Sequence, residues 1–445
     1  MVAQRNIINK VKIRVNTPSY ENGMQLKENL DGFFKEKVFP EMDTYFNSIQ
    51  KSNSEVIRIE TFQIDISIKE NSSLMDLKLL IMKELKNKIN SETISRNISK
   101  NCRIIDSEEN ECEVFFHFLK FGILPWWYDG NPNFWNEFLE RVIHQKDFSA
   151  KLKKLLFKEQ IRHRLIYQFD DKQLFSIVSS VLNLTKSEKD NLKIPAKYRN
   201  QFWEAILNYT IAIDEKDVFE NLQKIAKENV EKITQKVNEI FGVNISYDNA
   251  QIQAVNTDKP KFETIEKSNN LNVSDLSQIQ NEGFLVENAG LILLYPFLKM
   301  FFDKLDFLSE KNIKPNKIDE AIHVLHYLAT GKEFAYEHEL IFEKFLCNVP
   351  FQQPINRHIR LSKKQKLASE ILLQAVLEHW SALKSNSIEI LQNEFLQREG
   401  KLTISEEKQS LVVARKTQDI LLDKLPWNIH LIKIPWKKKI LFVDW

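Results

Sequence analysis

The stretch Leu425–Trp445, L-P-W-N-I-H-L-I-K-I-P-W-K-K-K-I-L-F-V-D-W, decides how the far end of the chain folds. Pro426 and Pro435 fix φ and lack a backbone donor, so they bracket the extended run Ile429–Ile434 and keep it short. A tryptophan follows each proline, Trp427 and Trp436, and puts a large rigid apolar body at each corner. Chain ends usually fray. This one closes on Ile440-Leu441-Phe442-Val443-Asp444-Trp445, a pattern that predicts a docked strand. Just upstream, Leu402–Ser405 and Leu411–Arg415 read as a hairpin, followed by a helix over Thr417–Leu425.

Composition bounds the rest. A chain of 445 residues is too long for one ordinary core, so two or three domains are expected. Gly 9 and Pro 12 are low and Phe 30 is high, which disfavours a turn-rich all-β fold and fits long helices. The fold class is therefore α+β, predominantly α-helical. The 63 basic and 61 acidic residues nearly cancel, giving no general pull toward nucleic acid or an anionic membrane. Cys102, Cys112 and Cys347 are scattered, which argues against a disulfide framework or zinc cage and suits a reducing cytoplasm. Residues 1–10 carry no apolar h-region, so no secretory signal is expected. The longest apolar run, Leu291–Phe302, is interrupted by Pro296 and Lys299. It is shorter than the roughly 20 residues a span requires, and reads as a buried helix with no stable membrane span.

Four segments follow from the patterning. In 1–72, a small β-α-β module, Val11, Ile13 and Val15 alternate with Lys10, Lys12 and Arg14 as a half-buried strand. A helix covers 22–50 with Leu26, Leu30, Phe33, Phe34 and Val38 on one face and a break at Pro40. From Val56, Ile57 and Ile59 alternate in one phase and Phe62, Ile64, Ile66 and Ile68 in the other, which predicts a bulge near Glu60-Thr61. In 73–212, a helical domain, Ser73 caps Leu74–Asn90, and a Phe-rich helix Cys112–Phe121 ends on Gly122. The rigid aromatic turn I-L-P-W-W-Y-D-G-N-P comes next, then helices from Phe134–His144 through Trp203. In 213–283, Val218, Leu222, Ile225, Val230, Ile233, Val237 and Ile240 mark a narrow stripe on the charged helix Ile213–Phe241, ended by Gly242. It fits a short coiled coil, which would let the chain pair with itself, or one helix lying on a neighbouring domain. Asn244–Gly283 is polar throughout and reads as a disordered linker. In 284–445 the pattern is helical to about Gln397, then forms the β element described above. Two helix ends also echo one another: His117–Gly122 and His326–Gly331 share H-[FY]-L-x-x-G, which fits either an internal duplication or coincidence.

No Gly-rich phosphate loop, GxSxG elbow or HExxH motif is present. The nearest metal-like grouping is His323 and His326 with Asp319 and Glu320 one turn back. Those two acids point to different sides of the helix, and Ile322, Val324 and Leu325 look like packing, so packed or capping histidines are expected. His338, Glu339 and Cys347 read as core. Lys437-Lys438-Lys439 reads as a solvated turn rather than a nucleic-acid patch. Pro125, Trp126 and Trp127 could present a stacking surface or plug a core. No set of residues meets the requirements of a catalytic site, and neither cofactor nor metal is implied.

Seven stretches taken in order carry a resemblance: F-F-H-F-L-K-F-G-I-L-P-W-W, E-N-A-G-L-I-L-L-Y-P-F-L, H-V-L-H-Y-L-A-T-G-K, E-H-E-L-I-F-E-K-F-L-C-N-V-P, L-L-Q-A-V-L-E-H-W-S-A-L-K, F-L-Q-R-E-G-K-L, and L-L-D-K-L-P-W-N-I-H-L-I-K-I-P-W to Trp445. Together they resemble the tape measure proteins of contractile injection systems, phage-tail-like particles with a sheath, an inner tube and a spike. The resemblance implies a structural, non-enzymatic role in setting tube length. It also implies inner-tube, spike and baseplate proteins as partners and assembly with or inside the particle. An assembly factor or baseplate adaptor of the same particle is the alternative. The aromatic corners Pro125, Trp126, Trp127, Pro426, Trp427, Pro435, Trp436 and Trp445 are the candidate partner contacts. Contour length limits the ruler idea. The 213–241 helix spans about 40 Å and the next 40 residues at most roughly 130 Å, while a wholly helical chain would reach about 670 Å.

Overall fold

The structure, a computed structural model, describes residues 6–17, 20–49, 55–68, 72–89, 102–128, 135–181, 194, 196, 199–212, 283–310, 312–384 and 387–445. The expected helix Ile213–Phe241 and, apart from Gly283, the expected linker Asn244–Gly283 lie outside the described residues. The fold is α+β and mostly helical. It divides into two compact units, residues 1–115 with 127–145, and residues 116–126 with 146–445.

In the first unit, helix α1 (Tyr20–Phe33) and helix α2 (Phe39–Ile49) are joined by a π-helical stretch, Phe34–Val38. Pro40 accounts for the joint. It offers no N–H to the preceding turn and its ring crowds the carbonyl of Glu36, so the helix widens just before it. After strand β1 (Glu55–Ile59), helix α3 (Leu74–Lys88) starts on a capping box in which Ser73 and Asp76 bond reciprocally. It packs Ile81 against Leu30, Phe33 and Val38, and buries Met82 and Leu85 beside Tyr45 and Phe46. Strand β2 (Cys102–Asp106) pairs antiparallel with β1 and leads into helix α4 (Ser107–Phe121). Helix α5 (Trp135–Val142) completes this unit.

Two sequence expectations change here. Val11, Ile13 and Val15 are exposed and form no ladder, and the second phase, Phe62–Ile68, forms none either. Among the described residues of this unit β1 and β2 are the only ladder, so the β-α-β order is β1-α3-β2. Alternation makes a segment competent for pairing but does not supply the neighbouring strand. Ile64 and Ile66 instead lie on the α1–α3 core, while Phe62 and Ile68 face solvent.

The second unit begins with the end of α4. It continues through α6 (Phe148–Leu156), α7 (Glu159–Gln168), α8 (Asp171–Val181) and α9 (Arg199–Ala212). Beyond residue 282, strand β3 (Phe284–Val286) leads through a 3-10 turn, Ala289–Leu294, into α10 (Tyr295–Lys304). The apolar run Leu291–Phe302 is thus a pair of helical segments, buried through Leu294 and along one face of α10, with Met300 exposed and Pro296 in the first turn of α10 where its missing N–H costs nothing. A minimal ladder, β4 (Leu308–Ser309) with β5 (Asn312–Ile313), precedes α11 (Ile318–Thr330), α12 (Ile341–Leu346), α13 (Lys363–His379) and α14 (Ile388–Leu391). A Ser362/Gln365 capping box sets the start of α13.

The chain then forms β6 (Gly400–Ile404), β7 (Gln409–Val413), β8 (Leu431–Ile432) and β9 (Leu441–Asp444). The five-stranded sheet has the order β3-β6-β7-β9-β8, with β7 and β9 parallel and the other pairs antiparallel. Its inner face, Phe284, Val286, Leu402, Leu411, Val413, Ile432, Leu441 and Val443, joins one continuous core with α10–α13. The terminal strand is docked as expected. One detail differs. The segment after residue 283 opens as a strand rather than a helix, because Phe284 pairs opposite Leu402 far along the chain. The helix expected after the hairpin is present as a 3-10 helix, Thr417–Lys424.

Candidate functional site

A polar grouping in the second unit is buried. Arg164 and Gln168 lie on α7 at the same helical spacing as Ile161 and Leu165, and all four are buried. The Arg164 guanidinium makes two bonds to Glu337, Nε to Oε2 at 2.9 Å and Nη2 to Oε1 at 3.1 Å. It also donates to the carbonyls of Leu119, at the end of α4, and of Gln352. On the other side Lys344 Nζ, from α12, donates to Glu337 Oε1 at 2.6 Å and to the Phe351 carbonyl at 2.8 Å. Gln168 accepts from the Glu337 backbone N–H and donates to the Ile355 carbonyl. One carboxylate thus sits between two cations, and α4, α7, α12 and the 351–355 loop are tied at one point. Arg164 and Glu337 have 0% exposure, so their charges are spent on each other and on backbone carbonyls. Burial pushes the Lys344 ammonium down to about 8 despite its partner.

Gly122 explains why α4 can end here. Its φ is +74° and its N–H closes on the Phe118 carbonyl. A Cβ at this position would sit 2.2 Å from Glu337 Oε1. Gly331 closes α11 in the same left-handed conformation, φ +70°, with its N–H on Tyr327. The two H-[FY]-L-x-x-G stretches are therefore alike in geometry as well as in sequence.

The candidate metal grouping does not converge. His323 Nε2 lies 3.0 Å from the Asn356 carbonyl, whereas His326 Nδ1 lies 3.4 Å from both Glu343 Oε1 and Asn288 Nδ2. Glu320 accepts from Lys317 and Gln365. Burial lowers His323 to about 4 and raises Asp319 to about 6. Among the described residues no three His, Cys, Asp or Glu side chains are placed to hold one metal ion. His338 is buried between the rings of Phe118 and Tyr336. The Cys347 thiol is raised by burial and sits in the core.

The aromatic corners divide by burial. Pro125 is buried, while Trp126 and Trp127 are half-buried. In the first unit Trp127 carries the Arg58 guanidinium 3.3 Å from its ring centroid, and Arg58 also binds Glu113 and Asn110. Pro426 and Pro435 are exposed, and half-buried Trp427 meets Phe297 edge-on at 5.3 Å. Trp436 is buried, stacked on Phe302, with Nε1 donating to the Leu346 carbonyl at 2.7 Å. Trp445 is buried as well, donating to Asp419 at 3.1 Å beneath Arg398. The lysine run needs a correction. Lys438 and Lys439 are exposed, but Lys437 is buried, its ammonium 3.6 Å from the Phe345 ring centroid and bonded to the Phe345 carbonyl. An ammonium held on a ring face and a carbonyl can leave water, which three consecutive lysines in a sequence do not reveal.

A family model, contractile injection system tape measure protein, matches residues 5–445. The chain belongs to that family. Neither a curated protein nor a solved structure matches it. A tape measure protein of a contractile system is a structural component that associates with other parts of its particle. Among the described residues no helix is long and apolar enough to cross a membrane. The sequence does not announce the Arg164–Glu337–Lys344 network. Its one local signal is a cation and an amide, Arg164 and Gln168, on the apolar stripe of a short helix.

Proposed function

We propose that this protein is a non-enzymatic tape measure that sets inner-tube length. Its folded ends hold tube, spike or baseplate proteins, and residues 213–283 form the span between them. The family match carries this reading, because it runs through both folded ends and the span alike. In this reading 1–72, 73–212 and 284–445 are the folded parts, and assembly takes place in the cytoplasm. The half-buried rings of Trp126, Trp127 and Trp427, fixed at corners by Pro125 and Pro426, are the contacts offered to partners. Pro435 is a further exposed corner, and buried Trp436 and Trp445 hold the end of the second unit behind it. The stripe on Ile213–Phe241 provides a route to self-association. Deleting half of Asn244–Gly283 and measuring tubes by electron microscopy tests the span. Shorter tubes are expected, and an unchanged length distribution overturns the ruling role of that segment.

A second reading, an assembly factor or baseplate adaptor, is favoured by one observation. Everything described from residue 283 onward shares a single continuous core, which suits a globular binding body. Counting copies per purified particle separates the two. A retained ruler is present in a fixed small number, whereas a factor that leaves is absent.

A further inference from the structure

Residues 10–15, Lys10-Val11-Lys12-Ile13-Arg14-Val15, form an extended segment outside every ladder of the described residues. Its alternation puts three cations on one face and three β-branched residues on the other. Both faces are open. Val11, Ile13 and Val15 keep 46%, 45% and 43% exposure, and Lys10, Lys12 and Arg14 are exposed as well. Among the described residues none of these six makes a hydrogen bond or an ion pair, so the backbone donors and acceptors of the run are free. The run is nevertheless held at its flanks. Asn6 Nδ2 donates to Asp43 Oδ1 at 2.7 Å and to Asn47 Oδ1 at 2.9 Å, both on α2. Thr17 is half-buried and lies against Gly23 of α1, where an added Cβ would come within 3.1 Å of its methyl group. A cleft of about 440 Å³ opens between the start of the run and Phe39, Met42 and Phe46 of α2. The acids lining that cleft are already engaged, Asp31 with Lys35 at 2.8 Å and Asp43 with Asn6 and Asn47. An extended run with a free backbone is a template for strand pairing.

We propose that residues 10–15 add as a strand to a sheet edge of another protein, one that carries carboxylates along one face and branched apolar side chains along the other. The inference does not depend on the length-setting role proposed above. The charge pattern selects the partner, because opposite charges directly across a ladder stabilise it and like charges oppose it. In a second copy, antiparallel pairing centred on Ile13 sets Lys12 opposite Arg14. Pairing centred on Lys12 sets Lys10 opposite Arg14 and Lys12 opposite its own counterpart. A slip by one residue sets cations opposite apolar side chains. Within the chain, the extended run Phe62–Ile68 is also a poor match, since its one acid is Asp65, and Ile64 and Ile66 are committed to the α1–α3 core. A bilayer does not suit the segment, because lipid leaves backbone donors and acceptors unpaired. The run is about 20 Å long, the length of an ordinary strand, so one partner strand covers all three cations.

The test uses the full chain and three fluorescent synthetic peptides of about eight residues: alternating Glu and Val, alternating Lys and Val, and the Glu-Val peptide with all its backbone nitrogens methylated. Methylation removes every ladder donor of the peptide and keeps every charge. By anisotropy, the Glu-Val peptide is expected to bind at least about tenfold more tightly than either of the others. Ile13→Pro, which removes a donor from the middle of the exposed run, is expected to abolish that advantage. Lys10→Glu with Lys12→Glu and Arg14→Glu is expected to turn the preference toward the Lys-Val peptide, and keeps the proposal testable if the proline variant fails to fold. Equal binding of the parent and methylated peptides shows charge attraction without strand pairing and overturns the proposal. Unchanged binding in the variants that fold overturns it too, as does binding of the chain to phosphatidylserine vesicles in place of the Glu-Val peptide. A photo-crosslinking residue at position 13 in cells then tests for the natural partner. A crosslink to an edge strand with alternating carboxylates in another protein supports the proposal. A crosslink to residues 62–68, to a second copy, or to nothing overturns it.

Discussion

Glu337→Gln changes one charge and almost no volume at the centre of the buried network. In the native chain the carboxylate faces Arg164 at 2.9 Å and Lys344 at 2.6 Å. After substitution two cations stay out of water with only amide and carbonyl oxygens around them. Breaking a buried ion pair by removing one partner costs about 3–5 kcal/mol, a large part of the roughly 5–15 kcal/mol that holds a domain folded. Lys344 offers partial relief. Its folded-state pKa of about 8 lies below the ordinary 10.5, because burial disfavours the ammonium. The unfolded chain therefore binds the extra proton between those values, and stability rises with pH across that window. Without Glu337 the ammonium loses its main support, so the window opens at lower pH. Urea unfolding of the full chain, followed by tryptophan fluorescence at pH 7 and 9.5, measures both effects. The expected loss is about 3–5 kcal/mol at pH 7 and smaller at pH 9.5. Lys344→Met is expected to be destabilising in the native background and to recover part of the loss in the Glu337→Gln background. A loss under about 1 kcal/mol at pH 7, or the same sign for Lys344→Met in both backgrounds, refutes the reasoning.

Gly122→Ala is expected to destabilise by more than Gly331→Ala. Both require φ near +70°, but only the first drives a Cβ to 2.2 Å from Glu337 Oε1, the nearest atom to Gly331 being 3.8 Å away; thermal melts of the two variants side by side check this, with about 1 kcal/mol expected for Gly331→Ala. Trp436→Ala is expected to cost about 3–5 kcal/mol by loss of a buried ring and its bond to Leu346, and Trp427→Ala under half of that, as read by chemical denaturation. His338→Phe tests acid sensitivity, since burial lowers His338 to about 3 and the unfolded chain takes up the proton first as pH falls below 6.5. Native stability should fall relative to the variant by up to about 1.4 kcal/mol per pH unit between 6.5 and about 3, and parallel curves would contradict this. The partly buried Asp319 works in the opposite sense in both proteins and cancels in the comparison.

The features legible in the sequence were those whose cause is local. Pro426 and Pro435 bound a short strand, Gly122 and Gly331 end helices, Ser73 begins one, and the 402–415 hairpin is written in its own alternation. Features that depend on a distant neighbour were not legible. Phe284–Val286 looks like the start of a helical region until Leu402 is known to lie opposite. Val11, Ile13 and Val15 alternate well but have no strand beside them. Arg164 and Glu337 are far apart in sequence, and neither segment announces the other. Lys437 is buried because Phe345 presents a ring face and a carbonyl together, a coincidence of packing that composition cannot show.

The strength of the second unit bears on how such a protein could measure anything. For the whole contour to serve as the ruler, the single core around α10–α13 would have to open and the Arg164–Glu337–Lys344 tie would have to break, at several kcal/mol for the tie alone. A ruler that keeps its ends folded has only the intervening residues to spend. Its tube length should then respond to deletions there with a slope fixed by backbone geometry. That slope is about 1.5 Å per residue if the span is helical and about 3.3 Å if it is extended. Deletions inside the second unit should instead abolish assembly without shortening the tubes. A graded series of deletions across 244–282, with tube lengths measured for each, therefore reads the mechanism from its slope. A slope near either value supports a folded-end ruler, and a flat line transfers the role to the adaptor reading, in which the same surfaces bind partners but nothing is measured.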